Sequence, residues 1–237
     1  ARIDYLINTD LRSLLAVFDW DSLRMNRPPA EDISPSKILH YFLKQSQTLH
    51  CNNRFIDIST SNDLIVTDAG ISLRDSPQEI GFYEVKTNHR EVQTWVQPLW
   101  RAEGKGRVIL LCRNFKDNPS FLLTVKHEAG TSSSLAISPT YLFYPDENLP
   151  QYLDEYTDVL IEFHQSDEGG RFINHEYLFQ LIEVAGDQAI ADNQFWVGIG
   201  ELQKILSASN LANIQLRNIC SVLISKLNPH TFRSLYT

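Results

Sequence analysis

The chain has 237 residues, of which 43% are hydrophobic and 21% charged, and its formal net charge is -8. That length and balance suit a folded chain with a sizeable core and set aside a disordered one. The acidic surplus sets aside a nucleic-acid binder, which needs a basic surface to displace counterions from phosphates, but leaves room for a single phosphorylated ligand.

The N-terminal segment, ARIDYLINTDLRSLLAVFDWD, has apolar periodicity with charges throughout, so it reads as neither a signal peptide nor a membrane span. No stretch of about 18 apolar residues occurs anywhere, and a cytoplasmic location with no membrane partner follows by elimination. The absence of an initial Met points to a trimmed chain or a piece of a longer one. After the linker NRPPAED, Ser34-Pro35 offers an N-cap followed by proline at the first helical position. Ile38, Leu39, Phe42 and Leu43 then fall on one helical face. From Arg54 the period changes. RFIDIST, DLIVTD, GFYEVKTN, RVILLCRNF, SFLLTVKHE, DVLIEFHQS and YLFQLIEVAG are β-branched and aromatic runs divided by turn residues, with KDNPS as a hairpin turn. The segment from FWVGIGELQKIL to ICSVLISKL returns to helical spacing. The expectation is an α+β chain: a helical N-terminal extension over 1–50, then one domain over 51–237 with a largely antiparallel sheet and one or two helices. Three cysteines, Cys51, Cys112 and Cys220, lie far apart, so neither a disulfide framework nor a zinc site is encoded. Cys112 and Cys220 sit in apolar runs and read as small core residues.

Several chemistries fail by inspection. There is no GxGxxG, no GxxxxGK[ST], no GxSxG and no HExxH, and no Glu-rich helix of the kind a metal-dependent pyrophosphatase needs. No metal and no cofactor are therefore expected, and the chemistry falls to side chains. The candidates cluster in three places: Trp95 to Pro98; Lys126-His127-Glu128 with the loop leading to Ser138-Pro139-Thr140; and Gln165 to Phe172.

Those segments, in that order, resemble the NDP-hexose 2,3-dehydratases of deoxysugar biosynthesis. REVQTWVQPLW is similar to the family's RE-x-x-W-x-Q-P-L, KHEAG to K-x-E-P-G, ISPT to L-S-P-T, and HQSDEGGRF, followed by Asn174, to QSE-x-GGRF. Trp196, the ELQKIL run, Asn213 and Arg217 are similar to the family's closing pattern. The resemblance implies a Nudix-like fold without the Nudix metal box, two such units in one chain, dimers, and a nucleotide-linked 4-keto-6-deoxyhexose as substrate. Here there is one unit, and Tyr141 to Glu147 replaces the polar V-Q-A-T-x-S-N-Y run.

On this resemblance the reaction removes the proton next to a ketone and expels the β-hydroxyl. It needs a general base, donors to the enolate oxygen and an acid for the leaving group. Glu128 and Glu168 are the expected base and acid, with His127 a further candidate on the opposite strand face. Lys126 and Arg171 are expected to neutralise the enolate or the pyrophosphate. Trp95 offers a stacking face; Gln97, Gln165, Ser166 and Asn174 offer polar contacts. Ser138 and Thr140 either donate to phosphate or shape the turn at Pro139. Arg217, one turn after Asn213, either reaches the ligand or braces a helix end. A homodimer is expected to stand in for the tandem pair. Two other readings stay open: a binding or assembly module derived from the family, and the same dehydration on a nonsugar ketone.

Overall fold

The computed structural model describes residues 57–226 apart from 75, 77, 103, 117, 129–134, 146, 152, 154–155, 169, 186–189 and 209–210. The helical extension expected over 1–50 lies outside the described residues, as does Cys51. Two sheets and two helices make an α+β fold. A five-stranded sheet runs in the order β1 (Leu64–Thr67), β2 (Gly70–Leu73), β3 (Glu79–Lys86), β4 (Thr94–Arg101) and β10 (Phe172–Ile173). A seven-stranded sheet is built on the order β12 (Gln194–Gly198), β6 (Ser120–His127), β5 (Gly106–Arg113), β11 (Glu176–Glu183) and β9 (Val159–Ser166). Its β7 (Leu135–Ser138) pairs with β6, and β8 (Tyr141–Phe143) pairs with β5. The pairing is antiparallel except for β11 with β5 and β10 with β4. Helices α1 (Ile199–Ser207) and α2 (Ile214–Lys226) close the described chain, and among the described residues no helix is long and apolar enough to cross a membrane.

The continuous apolar run of β5 follows from burial on both faces of its strand. Val108, Leu110 and Cys112 pack with Leu202 and Ile205 of α1 and Leu216, Ile219 and Leu223 of α2. The alternate residues Ile109 and Leu111 face Leu122, Ile182 and Trp196 on the other side. Cys112 and Cys220 are buried free thiols, each pushed up to about 12, chiefly by burial. KDNPS closes the β5–β6 hairpin, where Asn114 takes a φ of 53°, tolerable for Asn, and its carbonyl accepts from Asn118 N.

Two expectations need correction. In RFIDIST, Ile58–Thr60 is a 3-10 turn, because the Asp57 carboxylate accepts from Ser59 N and caps it. The helical spacing expected from FWVG onward begins only at Ile199. Gln194–Gly198 pairs along β6 as a fully buried strand, and the hydrophobic periodicity was misread across that junction. QTWVQPLW lies in β4, with Pro98 where the edge away from β3 is not paired, since β10 joins only at Trp100 and Arg101.

β5 and β6 pair over Leu111–Arg113 and Ser120–Leu122 and then part, β8 continuing along β5 and β7 along β6. The corner at Pro139 and Thr140 enters that fork. The Thr140 hydroxyl accepts from Leu111 N at 2.9 Å and donates to Leu122 O, while its carbonyl accepts from the Thr124 hydroxyl at 2.8 Å. The side chain thus supplies the partners that the parted strands cannot give each other.

Candidate active site

A cavity of about 960 Å³ opens where the C-terminal ends of β6 and β9 meet the edge of the five-stranded sheet. Five of the residues singled out in the sequence line it: Glu128, Gln165, Ser166, Glu168 and Arg171. They share its wall with Trp100, Tyr144, Asp167, Phe172, His175, Tyr177, Gln215 and Asn218. Strand alternation explains part of this. β9 turns Ile161, Phe163 and Gln165 inward, and Phe163 stacks on Phe179 at 4.9 Å, so the inward row ends at a polar residue as it reaches the cavity. Gly106 is needed below, since a Cβ there would meet the Tyr177 ring.

The loop from Asp167 to Arg171 is held by β4. The Gln97 amide donates to Gly170 O at 3.0 Å and accepts from the Trp95 indole, and Trp100 N donates to Arg171 O at 2.7 Å. Trp95 and Gln97 therefore brace this loop from β4 and do not line the cavity; Arg90 sits over the Trp95 ring at 5.6 Å. Asn174 makes the return turn into β11 with a φ of 55°, a left-handed conformation that Asn tolerates better than most residues. It too is absent from the cavity wall. Across that turn, Asp167 Oδ2 lies 3.1 Å from His175 Nδ1, Asp167 N donates to His175 O at 2.8 Å, and Glu168 N donates to Asp167 Oδ1 at 2.8 Å. The Glu168 and Arg171 side chains are 60% and 72% exposed and form an ion pair at 3.3 Å, which places both at the rim.

On the opposite wall, Tyr144 carries a hydroxyl that accepts from Lys126 Nζ at 3.4 Å, with the ammonium 5.0 Å from the ring centroid. Burial pushes the Tyr144 phenol up to about 12, helped by the negative charges of Glu128, Glu147 and Asp167. It is therefore a neutral donor at ordinary pH. Desolvation lowers the Lys126 ammonium from its usual value, and Glu128 and Glu147 oppose that shift. Lys126 itself stands behind Tyr144 and outside the lining; His127 is likewise outside it, with a buried Nε2 that has no partner among the described residues.

Three further expectations meet a structural arrangement. Ser138 is buried and its hydroxyl accepts from Asn213 Nδ2, whose Oδ1 in turn accepts from Leu216 N in the first turn of α2. Thr140 fills the β5–β6 fork. Arg217 donates to Leu206 O, Ala208 O and Ala212 O, which satisfies the last carbonyls of α1. None of the three lines the cavity, and of the two roles weighed for each, the geometry provides the bracing one.

The sequence reading missed Asp167 and His175 as a pair, along with Tyr144, Trp100, Gln215 and Asn218. Asp167 and His175 could have been found by asking which polar residues face each other across a short turn, since antiparallel register places Ser166 opposite Glu176. Gln215 is 7% exposed and its Oε1 has no hydrogen-bond partner among the described residues.

Fold and site together define an α+β protein with a wide cavity whose wall gathers carboxylates, an imidazole, a guanidinium and a phenol, the side chains that proton-transfer chemistry uses. A family model described as NDP-hexose 2,3-dehydratase matches residues 36–223, and the chain belongs to that family. A dTDP-4-dehydro-6-deoxy-alpha-D-glucopyranose 2,3-dehydratase of Saccharopolyspora spinosa is 30% identical over 60% of this chain and 32% of its own length. A protein of the same name from Streptomyces violaceoruber is 25% identical over 92% of this chain and 53% of its own. The chain thus spans about half the length, or less, of the curated relatives it matches. Among solved structures, an Ap4A hydrolase of C. elegans overlays 52% of this chain with a TM-score of 0.32 at 13% identity, a likeness too slight to carry an argument.

Proposed function

We propose that this chain is one unit of a lyase that dehydrates a nucleotide-linked 4-keto-6-deoxyhexose across C2 and C3, with the cavity beside β6 and β9 as its substrate site. The observation that carries the reading is the convergence of Glu128, Glu168 and Arg171, with Gln165 and Ser166, on one cavity in a chain of this family. The 4-keto group makes the C3 hydrogen acidic, and charge builds on the ketone oxygen as that proton leaves. Tyr144, kept neutral, is the donor for that oxygen, with the Lys126 ammonium behind it to steady the charge. Glu128 keeps Lys126 in its charged form. Arg171 at the rim suits a pyrophosphate, which a guanidinium grips in two-pronged fashion. The run from Tyr141 that replaces the family's polar stretch thus restores a donor through Tyr144. The base is drawn from the carboxylates and the imidazole of the wall, with no metal or cofactor assigned to the step.

The unit corresponds to residues 51–237, with the Nudix-like architecture and cytoplasmic location that the resemblance implies, and a second copy stands in for the remaining length of the longer relatives. Light scattering tests that pairing: a monomer at working concentration removes it. Calorimetry with dTDP and UDP, followed by incubation with dTDP-4-dehydro-6-deoxyglucose, tests the reading itself. Micromolar affinity for one nucleotide and a product lighter by one water are expected. Silence at millimolar nucleotide would remove the nucleotide-sugar assignment, and binding without turnover would favour a ligand-binding module.

A further inference from the structure

Within that reading, on which this step rests, we propose that His175 is the catalytic base that removes the C3 proton and that Asp167 is its positioning residue. Neither carried a role in the sequence reading, yet they are the most tightly constrained titratable groups of the cavity wall. The His175 side chain is 6% exposed and that of Asp167 is 17% exposed. The Phe172 ring stacks on the imidazole at 4.9 Å and the Tyr177 ring meets its edge at 5.5 Å. The carboxylate is fixed in turn by Glu168 N on Oδ1, and the two backbones are tied by the bond from Asp167 N to His175 O. With the Asp167 carboxylate 3.1 Å from Nδ1, the ring proton sits at Nδ1 and the lone pair at Nε2. Nε2 has no hydrogen-bond partner among the described residues, which leaves it for a ligand proton. Glu168 makes the weaker base: its carboxylate is 60% exposed and ion-paired with Arg171.

The step balances with this one group. The C3–H bond breaks, its proton goes to Nε2, and its electron pair forms the C3–C4 double bond with negative charge on the C4 oxygen. The enolate then collapses: the C4 carbonyl re-forms, a C2–C3 double bond forms, and the C2–O bond breaks. The proton on Nε2 passes to the departing C2 oxygen, which leaves as water, and the imidazole returns to neutrality. In a glucopyranose ring the C3 hydrogen and the C2 hydroxyl lie on the same face, so one imidazole on that face reaches both. Asp167 stabilises the imidazolium in between without taking its proton.

The test uses this chain and its H175Q and D167N variants, with dTDP-4-dehydro-6-deoxyglucose in deuterated buffer. Proton NMR follows exchange at C3, and calorimetry follows dTDP binding. H175Q is expected to bind dTDP within a few-fold of wild type and to lose at least about 10²-fold in exchange, the usual worth of a positioned base. The other titratable or charged groups on this wall are Glu128, Tyr144, Glu168, Arg171 and Tyr177. All remain in D167N, in which the imidazolium loses its counter-charge, so the pH at which exchange becomes base-limited falls. A purely structural Asp167 would lower the rate without moving that limb. H175Q exchanging within fivefold of wild type, or wild type that binds dTDP and exchanges no C3 proton, overturns the assignment of His175. Wild type that fails to bind dTDP at millimolar concentration overturns the proposed function, and this step with it, so the binding measurement separates the two failures. Should H175Q not fold, the pH limb of D167N decides.

Discussion

Thr140 and Tyr144 stand four residues apart on either side of β8, and both carry a hydroxyl. The Thr140 hydroxyl is buried between Leu111 N and Leu122 O, with donor and acceptor capacity both used inside the fold. Tyr144 lines the cavity, and its printed bond is a long one from Lys126. The same contrast divides the wider molecule. Ser138, Asn213 and Arg217 join Thr140 in a network closed on the backbone, whereas Glu128, Asp167, His175 and Arg171 stand where a ligand can meet them. Residue type does not separate the two groups; an account of where each hydrogen bond goes does.

The comparison is broken most directly at the fork. T140V keeps the shape of the side chain but leaves an amide and a carbonyl unmet at the parting of β5 and β6, each worth about 1–3 kcal/mol when buried. A loss of about 3 kcal/mol in urea unfolding is expected, with nucleotide affinity of the folded protein unchanged and most stability recovered in T140S. A loss of affinity larger than the loss of stability would return Thr140 to the ligand side. R217M removes a guanidinium that serves three carbonyls at the end of α1. About 2 kcal/mol of stability should go, since bonds to a charged donor are worth about 1.5–3 kcal/mol. R217K should recover part of it, as one ammonium cannot copy the fork.

The closed network was the less legible of the two in the sequence. Thr140 was read as a phosphate donor or a turn former, because the parting of two paired strands leaves no mark in either. β5 was legible for a local reason: RVILLCR is a run buried on both faces, and no solvent-facing alternation interrupts it. β12 was not, because QFWVG is equally apolar and runs straight into α1 with only Gly198 between. On the cavity side, Glu128, Glu168 and Arg171 were found from residue type and the resemblance. The Asp167–His175 pair was passed over because histidine was searched for at helical spacing, whereas this pair forms across a turn that depends on Asn174 taking a left-handed conformation.

Two predictions sharpen the ligand side. E128Q removes the first-named charge that supports the Lys126 ammonium against desolvation. Turnover is expected to fall about tenfold, equivalent to about 1.4 kcal/mol. A thousandfold loss with C3 exchange abolished would make Glu128 the base and displace His175. Tyr144 tests the electrostatics of the same wall. Its folded value of about 12 exceeds the ordinary tyrosine value of about 10, so the fold holds its proton more tightly than the unfolded chain does. That stability is fully present below about pH 10 and is lost as pH rises through about 12. Y144F should therefore lose less stability than wild type over that window, by about 1 kcal/mol after allowance for partial exposure. Cys112 and Cys220 contribute with the same sign in both proteins, so the difference between the two unfolding curves isolates the phenol.

The smallest effect is expected at the rim, and it decides how far the contrast holds within the cavity itself. Glu168 and Arg171 are one helical-type step apart in sequence and paired at 3.3 Å, but both are mostly in water. An exposed pair of this kind contributes at most about 0.5–1 kcal/mol, and salt screens it. E168Q should shift unfolding by less than about 0.5 kcal/mol, an effect that vanishes at high ionic strength. In turnover, the neutral variant should lose less than tenfold and should bind dTDP somewhat more tightly, because Arg171 is freed from its carboxylate and the rim becomes less negative toward a pyrophosphate. A loss of a hundredfold or more with affinity unchanged would make Glu168 a proton-transfer group in spite of its exposure. The loop from Asp167 to Arg171 would then have to fold inward over the substrate, bringing a rim carboxylate into the drier surroundings where its basicity rises.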